Sequence, residues 1–259
     1  MFKKTFLLVF FLLFLAVKSF AKSELSIWGG YHSVSMDSIN DRMISDFKGW
    51  DLLGFDIKRD EIHGSTLYLG LDYLFDISET LSVGPRVSFL FVETGNFKTQ
   101  DVPSPLKLLG VNGERNEEMK TFIVPITIGG KYSKNILDKA SIYIKVFTGL
   151  GIINAKDSQT TTGNINSSNM IAQLNTYLQR LYPDLPDNFI VAFDQSNWTI
   201  NETKNCFVLD CALGVNYEFS EVVGIFFDFG YLFTPKTKIQ DFTFNFSGLQ
   251  YAGGLRFKF

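Results

Sequence analysis

Past residue 21 the sequence has no apolar run of about 18 residues, so it offers no helix able to cross a membrane. Cysteine is nearly absent. The two present, Cys206 and Cys211, fall in one strand pattern, where five residues of extended chain separate them by roughly 17 Å. That is beyond disulfide reach, and the odd spacing puts them on opposite faces, so both read as packing residues. Histidine occurs only at His32 and His63, and no cluster has metal-ligand spacing. No glycine-rich phosphate loop occurs, so nothing calls for a cofactor. The formal charge of −3 gives no basic surface for nucleic acid. A mean hydropathy of only +0.09 would pass, by composition alone, for a soluble protein.

What is present is pattern. The first 21 residues read as a secretory leader: Lys3 and Lys4, an unbroken apolar run Phe6–Val17, then Ser19-Phe20-Ala21 as a cleavage site. Residues 22–259 remain as one domain. Removing the leader's three lysines (Lys3, Lys4, Lys18) moves the formal charge from −3 to −6.

Eight later segments alternate apolar and polar residues with the period of a strand. They are Glu24–His32, Ser65–Asp76, Leu81–Val92, Thr121–Tyr132, Ser141–Ile153, Cys206–Phe219, Val222–Phe233 and Leu249–Phe259. In the last, Leu249, Tyr251, Gly253, Leu255, Phe257 and Phe259 share one face, while Gln250, Arg256 and Lys258 lie on the other. A greasy outward face opposed to a charged inward one suits a strand solvated by lipid. The connections alternate in length: about 33–64, 93–120, 154–205 and 234–247 are long, and 77–80, 133–140 and 220–221 are short. All long loops therefore lie at one end of the sheet. Aromatic residues bunch at both ends, with Tyr73, Phe75, Tyr132, Tyr217, Phe219, Phe257 and Phe259 near the turns. Tyr31, Phe91, Phe122, Phe207, Tyr231 and Phe233 bunch near the loops, as girdles do where a barrel meets two interfaces.

On these features the chain resembles the small outer-membrane β-barrel proteins of diderm bacteria, the eight-stranded group with OmpA-like, OmpX-like and OmpW-like barrels. The resemblance implies an all-β, eight-stranded, antiparallel up-and-down transmembrane barrel. Its long extracellular loops would carry short helices. It implies the outer membrane as location, with outer-membrane lipid around the barrel. It also implies the barrel-assembly machinery as a partner in biogenesis, reading the terminal signal Tyr251, Leu255, Phe257 and Phe259. A second reading has ten strands, with a hairpin at 189–193 and 198–200.

Parity assigns Asp72, Asp76, Asp210, Glu218 and Asp228 to the lumen, with Arg86, Lys131, Lys145, Arg256 and Lys258 opposite them in sign. Near-balance suggests mutual pairing, because an unpaired charge in a tight interior is costly. Glycines of the same parity, among them Gly70, Gly129, Gly214 and Gly254, make room for Trp28, Tyr68, Tyr143, Phe147 and Phe226. The expected interior is a side-chain plug; the alternative is a narrow gated pore for small or hydrophobic solutes.

Function in this architecture is expected in the loops. Met170, Ile171, Leu174, Leu178 and Leu181 recur at helical spacing and form a candidate cap over the mouth. Ile39, Met43, Ile44 and Phe47 mark a second helix over 37–47. A lipid-modifying enzyme needs a His and a Ser acting together. His32 and Ser33 are adjacent in a strand and face opposite sides, and a rim histidine reads as solvated. The expectation is a non-enzymatic structural or surface-interaction protein, with an unidentified extracellular ligand and no nucleic acid.

Overall fold

The computed structural model describes residues 22–52, 54–60, 64–99, 112–164, 176, 180 and 197–259. The chain runs β1 (Ser23–Ser33), α1 (Asp37–Leu52), β2 (Ile57–Asp60), β3 (Ser65–Asp76), β4 (Leu81–Thr99), β5 (Asn112–Leu137) and β6 (Ala140–Asn164). It continues through β7 (Asn197–Glu218), β8 (Val223–Phe233), β9 (Thr237–Ile239), β10 (Phe242–Phe244) and β11 (Gly248–Lys258). Eight of these strands close a ring in the order β3-β1-β11-β8-β7-β6-β5-β4, with β4 pairing back onto β3. Every pairing is antiparallel. Closure leaves the membrane-crossing wall without an open edge. At the seam the terminal Phe259 exchanges backbone hydrogen bonds with Ser23, at 2.8 and 3.2 Å.

The outward faces are apolar and uncovered. Ile27, Leu67, Leu71, Phe89, Ile126, Ile144, Leu213, Phe227 and Leu255 are all exposed. In water such a surface would be unstable, and in lipid it is already solvated. No helix among the described residues is long and apolar enough to cross a membrane. The strands perform the crossing. Cys206 is buried, Cys211 is exposed, and both are free.

Three connections are tight turns at one end, residues 77–80, 138–139 and 219–222. Two of them use a serine brace. Ser78 Oγ accepts from the amides of Thr80 and Leu81, and Ser220 Oγ from those of Val222 and Val223. Short side-chain oxygens tie such turns locally.

At the opposite end the wall is much taller than the sequence pattern indicates. β5, β6 and β7 span 26, 25 and 22 residues, whereas β1, β8 and β11 span 11. The expected strands began or stopped at Thr121, Ile153 and Cys206. The reason lies on the outer face. Below the girdle residue Phe122, β5 presents Ile126 and Ile128 outward, and above it Glu114 and Lys120. That upper sheet stands in water, so the apolar half of the alternation is missing from its outside. The segment 198–200 belongs to β7 rather than to an extra hairpin, and 189–193 lies outside the described residues.

The helix expected over 37–47 runs on to Leu52 and ends at Gly54, whose φ of 83° is the left-handed turn that glycine adopts freely. Ile39, Met43 and Phe47, spaced four apart, are fully buried. They meet Phe97 of β4, with Phe47 and Phe97 rings 5.8 Å apart. The β9–β10 hairpin adds Phe242 and Phe244 to the same core, and the segment after it adds Phe246. Ser38 Oγ donates to the Thr243 carbonyl at 2.7 Å and pins the helix to that hairpin.

Candidate functional site

The barrel interior has two regions, a charged lumen at membrane depth and an apolar cap above it. In the lumen, Arg86 on β4 faces its register partner Asp72 on β3 and grips it at both ends. Nε lies 2.7 Å from Oδ1 and Nη2 lies 2.9 Å from Oδ2. Its remaining Nη1 reaches Asp210 on β7 at 2.6 Å. The guanidinium plane also lies over the Phe147 ring, 4.0 Å from its centroid. A planar fork serves two carboxylates and an aromatic face at once, which an ammonium cannot do. Lys145 on β6 bridges Asp72 and Asp228 at 3.2 and 3.1 Å.

Closer to the turns, Glu24 accepts from Lys131 and, at 3.3 Å, from Arg256. Arg256 and Lys258 both reach Glu218, at 2.7 and 2.5 Å. The two clusters have opposite imbalances. The deeper one holds three carboxylates and two cations, and the turn-end one two carboxylates and three cations. Neutral donors serve the deeper excess. Trp28 Nε1 bonds Asp72 at 2.9 Å, Tyr68 bonds Asp210 at 3.2 Å, Gln250 also bonds Asp210, and Tyr143 bonds Asp228. Each buried carboxylate thereby finds partners for several lone pairs, which an ion needs away from water.

Nine of the ten charges expected in the lumen stand in these clusters. Asp76 does not: it is half-buried at the turn end and accepts from Ser82 Oγ at 2.7 Å. Its place is taken by Glu24, which is 4% exposed and which sequence reasoning passed over. The signal was available, since Glu24 alternates with the outward Leu25 and Ile27. The glycines act as expected. A Cβ on Gly70 would lie 2.2 Å from the Trp28 indole, and one on Gly214 2.3 Å from the Tyr143 ring. The space left is small. One lumen void between Trp28, Tyr68, Arg86 and Gln250 measures about 10 Å³, the size of one water. A second, beside Glu24, Lys131 and Arg256, has essentially no free volume.

Above the network, Leu90, Ile123, Val208 and Leu232 seal the lumen, and α1 with the β9–β10 hairpin covers them. His32 is corrected by this arrangement. It is fully buried rather than solvated, with Nε2 2.8 Å from the Phe246 carbonyl, because the segment after β10 folds across the mouth. Ser33 points the other way and bonds the Leu249 backbone, so the pair shares no site. His63 and the five expected cap residues Met170, Ile171, Leu174, Leu178 and Leu181 lie outside the described residues.

On the flank of the cap, outside the membrane, lies a pocket of three acids. Asp157 on β6 is 3% exposed, and neither carboxylate oxygen has a hydrogen-bond partner. Burial, then the charges of Glu117 and Asp46, push its carboxyl up to about 7. Burial likewise raises Glu117 and Asp46, and the pull of Arg115 and Arg42 does not cancel it. Arg115 bonds Glu117 at 3.0 Å and Gln159 at 2.8 Å, and lies over the Phe47 ring. Among the described residues no three acidic, histidine or cysteine side chains stand close enough to hold a metal ion.

No protein-family model matches the chain, and no curated protein does. Solved structures of small outer-membrane barrels do. Ail, the attachment invasion locus protein of Yersinia pestis, matched as its complex with the heparin analogue sucrose octasulfate, is 13% identical at a TM-score of 0.33. The match covers 92% of this chain and 99% of Ail. Neisserial surface protein A is 11% identical at 0.35, over 92% and 97% of the two chains. The outer membrane protein OprG of Pseudomonas aeruginosa is 14% identical at 0.39, over 92% and 96%. At these identities the likeness is one of fold.

Proposed function

We propose that this chain is a closed outer-membrane barrel of a diderm bacterium, a non-enzymatic anchor that displays a folded extracellular cap for surface interaction. In this reading residues 1–21 are a leader removed on export. Tyr251, Leu255, Phe257 and Phe259 are the terminal signal for barrel assembly. The tight turns face the periplasm and the tall sheet faces outward. The observation that carries the proposal is the filled lumen: a five-against-five ion network topped by an apolar seal, with only water-sized space between. A solute path would have to break Arg86 from two carboxylates and lift the cap. The exposed lysines of the tall sheet are also largely neutralised, as in Lys98–Glu114 at 2.5 Å and Lys120–Glu118 at 2.7 Å. That favours a protein or neutral surface over a sulfated glycan such as the analogue bound to Ail. The test is planar-bilayer conductance of the refolded barrel. A silent membrane with verified insertion is expected, and discrete solute-sized openings would overturn the proposal.

A further inference from the structure

The lipid-facing wall is not uniformly convex. Two cross-strand rows near the turn end shape a trough of about 550 Å³. In the upper row Tyr132, Ile144, Leu213 and Phe229 are successive register partners across β5, β6, β7 and β8. In the row beneath, Lys134 and Phe227 occupy the two ends. Aliphatic side chains lie between longer end residues, Tyr132 and Phe229 in the upper row and Lys134 and Phe227 in the lower, so the middle of each row is lower than its rims. At Gly214 the floor carries no side chain of its own, and the Tyr143 phenol with its partner Asp228 lies behind the backbone. All the lining side chains named here except Lys134 are apolar or, in Tyr132 and Tyr143, amphipathic. Lys134 is exposed, lies one alternate position beyond the girdle residue Tyr132, and has no carboxylate partner among the described residues. The lysines at the other end of the barrel mostly do have one.

A trough walled by aromatics, open to hydrocarbon and ending on one unneutralised cation matches an amphiphile with an acyl chain and an anionic head. We propose that this trough is a binding site for an anionic phospholipid of the periplasmic leaflet, its acyl chain on Ile144 and Leu213 and its phosphate on Lys134. The inference rests on the membrane orientation given above. The aromatic–aliphatic rows hold the chain by shape and area, and the ammonium selects charge at the depth where headgroups lie.

The test uses the full chain inserted in phosphatidylcholine nanodiscs containing a minor fraction of phosphatidylglycerol, with native mass spectrometry counting phosphatidylglycerol retained on the released barrel. Heat-dependent gel migration first establishes that each form is inserted and folded. An unfolded wild type would defeat the membrane reading itself rather than the site. Wild type is expected to retain phosphatidylglycerol over phosphatidylcholine. Leu213→Trp, which fills the trough, should lose retention by about tenfold, a change of about 1.4 kcal/mol. Lys134→Gln should keep lipid but lose the preference for the anionic head. Leu69→Trp, on the outward face of β3, is the control and should behave as wild type. If Leu213→Trp does not fold, Ile144→Phe serves in its place. Equal retention in wild type, trough variant and control overturns the proposal. So does a wild-type dimer that the trough variant converts to monomer, which would make the trough an interface between copies.

Discussion

The charged lumen and the extracellular cap are enclosed by the same strands, yet they solve burial in opposite ways. In the lumen five carboxylates meet five cations, and neutral donors from Trp28, Tyr68, Tyr143 and Gln250 complete the excess. In the cap an apolar cluster around Phe47, Phe97 and Phe244 does the packing, and three acids share two arginines at its flank. The lesson is that satisfaction, rather than burial itself, decides whether a charge stiffens a fold. Arg86 and Asp157 are equally hidden. The first has a partner for three of its N–H groups, and the second has none for either oxygen.

The largest expected effect belongs to the lumen. Arg86→Met leaves Asp210 with neutral donors alone and Asp72 with Lys145 as its one cation, and should cost about 3–5 kcal/mol of barrel stability, measured by urea unfolding in lipid vesicles. A loss under about 1 kcal/mol would mean that water reaches those carboxylates. Phe47→Ala removes a ring from the cap core and should cost about 3–5 kcal/mol locally. Because α1 lies outside the ring, that loss should show as faster hydrogen exchange and proteolysis across 37–52, with the barrel transition unchanged. If the whole barrel weakens equally, the two regions are one cooperative unit.

The pH response sharpens the contrast. Asp157 has a carboxyl raised to about 7, so the folded cap binds a proton that the opened cap releases. Stability from this group is full at acid pH, falls as pH rises from the ordinary carboxylate value of about 4 to about 7, and levels off above. Cap hydrogen exchange should therefore quicken between those limits, after correction for intrinsic rates, and Asp157→Asn should make the profile shallower, leaving the smaller response of Glu117 and Asp46. An unchanged slope in that variant would assign the response elsewhere. The smallest effect is expected from Lys258→Gln. Lys258 is partly exposed and Arg256 also serves Glu218, so the change should stay below about 1 kcal/mol.

Which parts of this were legible in the sequence follows from where lipid touches the chain. Leu67, Leu69, Leu71 and Tyr73 advertise their strand because bilayer forces the outer face to be apolar. The same rule hides the upper reaches of β5 and β6. There Glu114, Lys120 and Lys156 face water, and inward Met119 and Ala155 are all that carries the apolar period. Phe242, Phe244 and Phe246 alternate too, but so short a run in a loop was passed over, and with it the burial of His32. The pairing of Arg86 with Asp72 follows from parity and register. Its reach to Asp210, across the lumen, needs the closed ring. The acid pocket was invisible for the same reason, since Asp46, Glu117 and Asp157 come from three separate elements.

The central claim is that the ion network closes the lumen without help from the cap. The direct test is single-channel recording of a folded Phe47→Ala/Phe244→Ala barrel, whose cap is loosened while the network is intact. The account predicts a silent membrane, as for wild type. Discrete openings in that variant would show that the cap was the gate and that the lumen beneath it conducts.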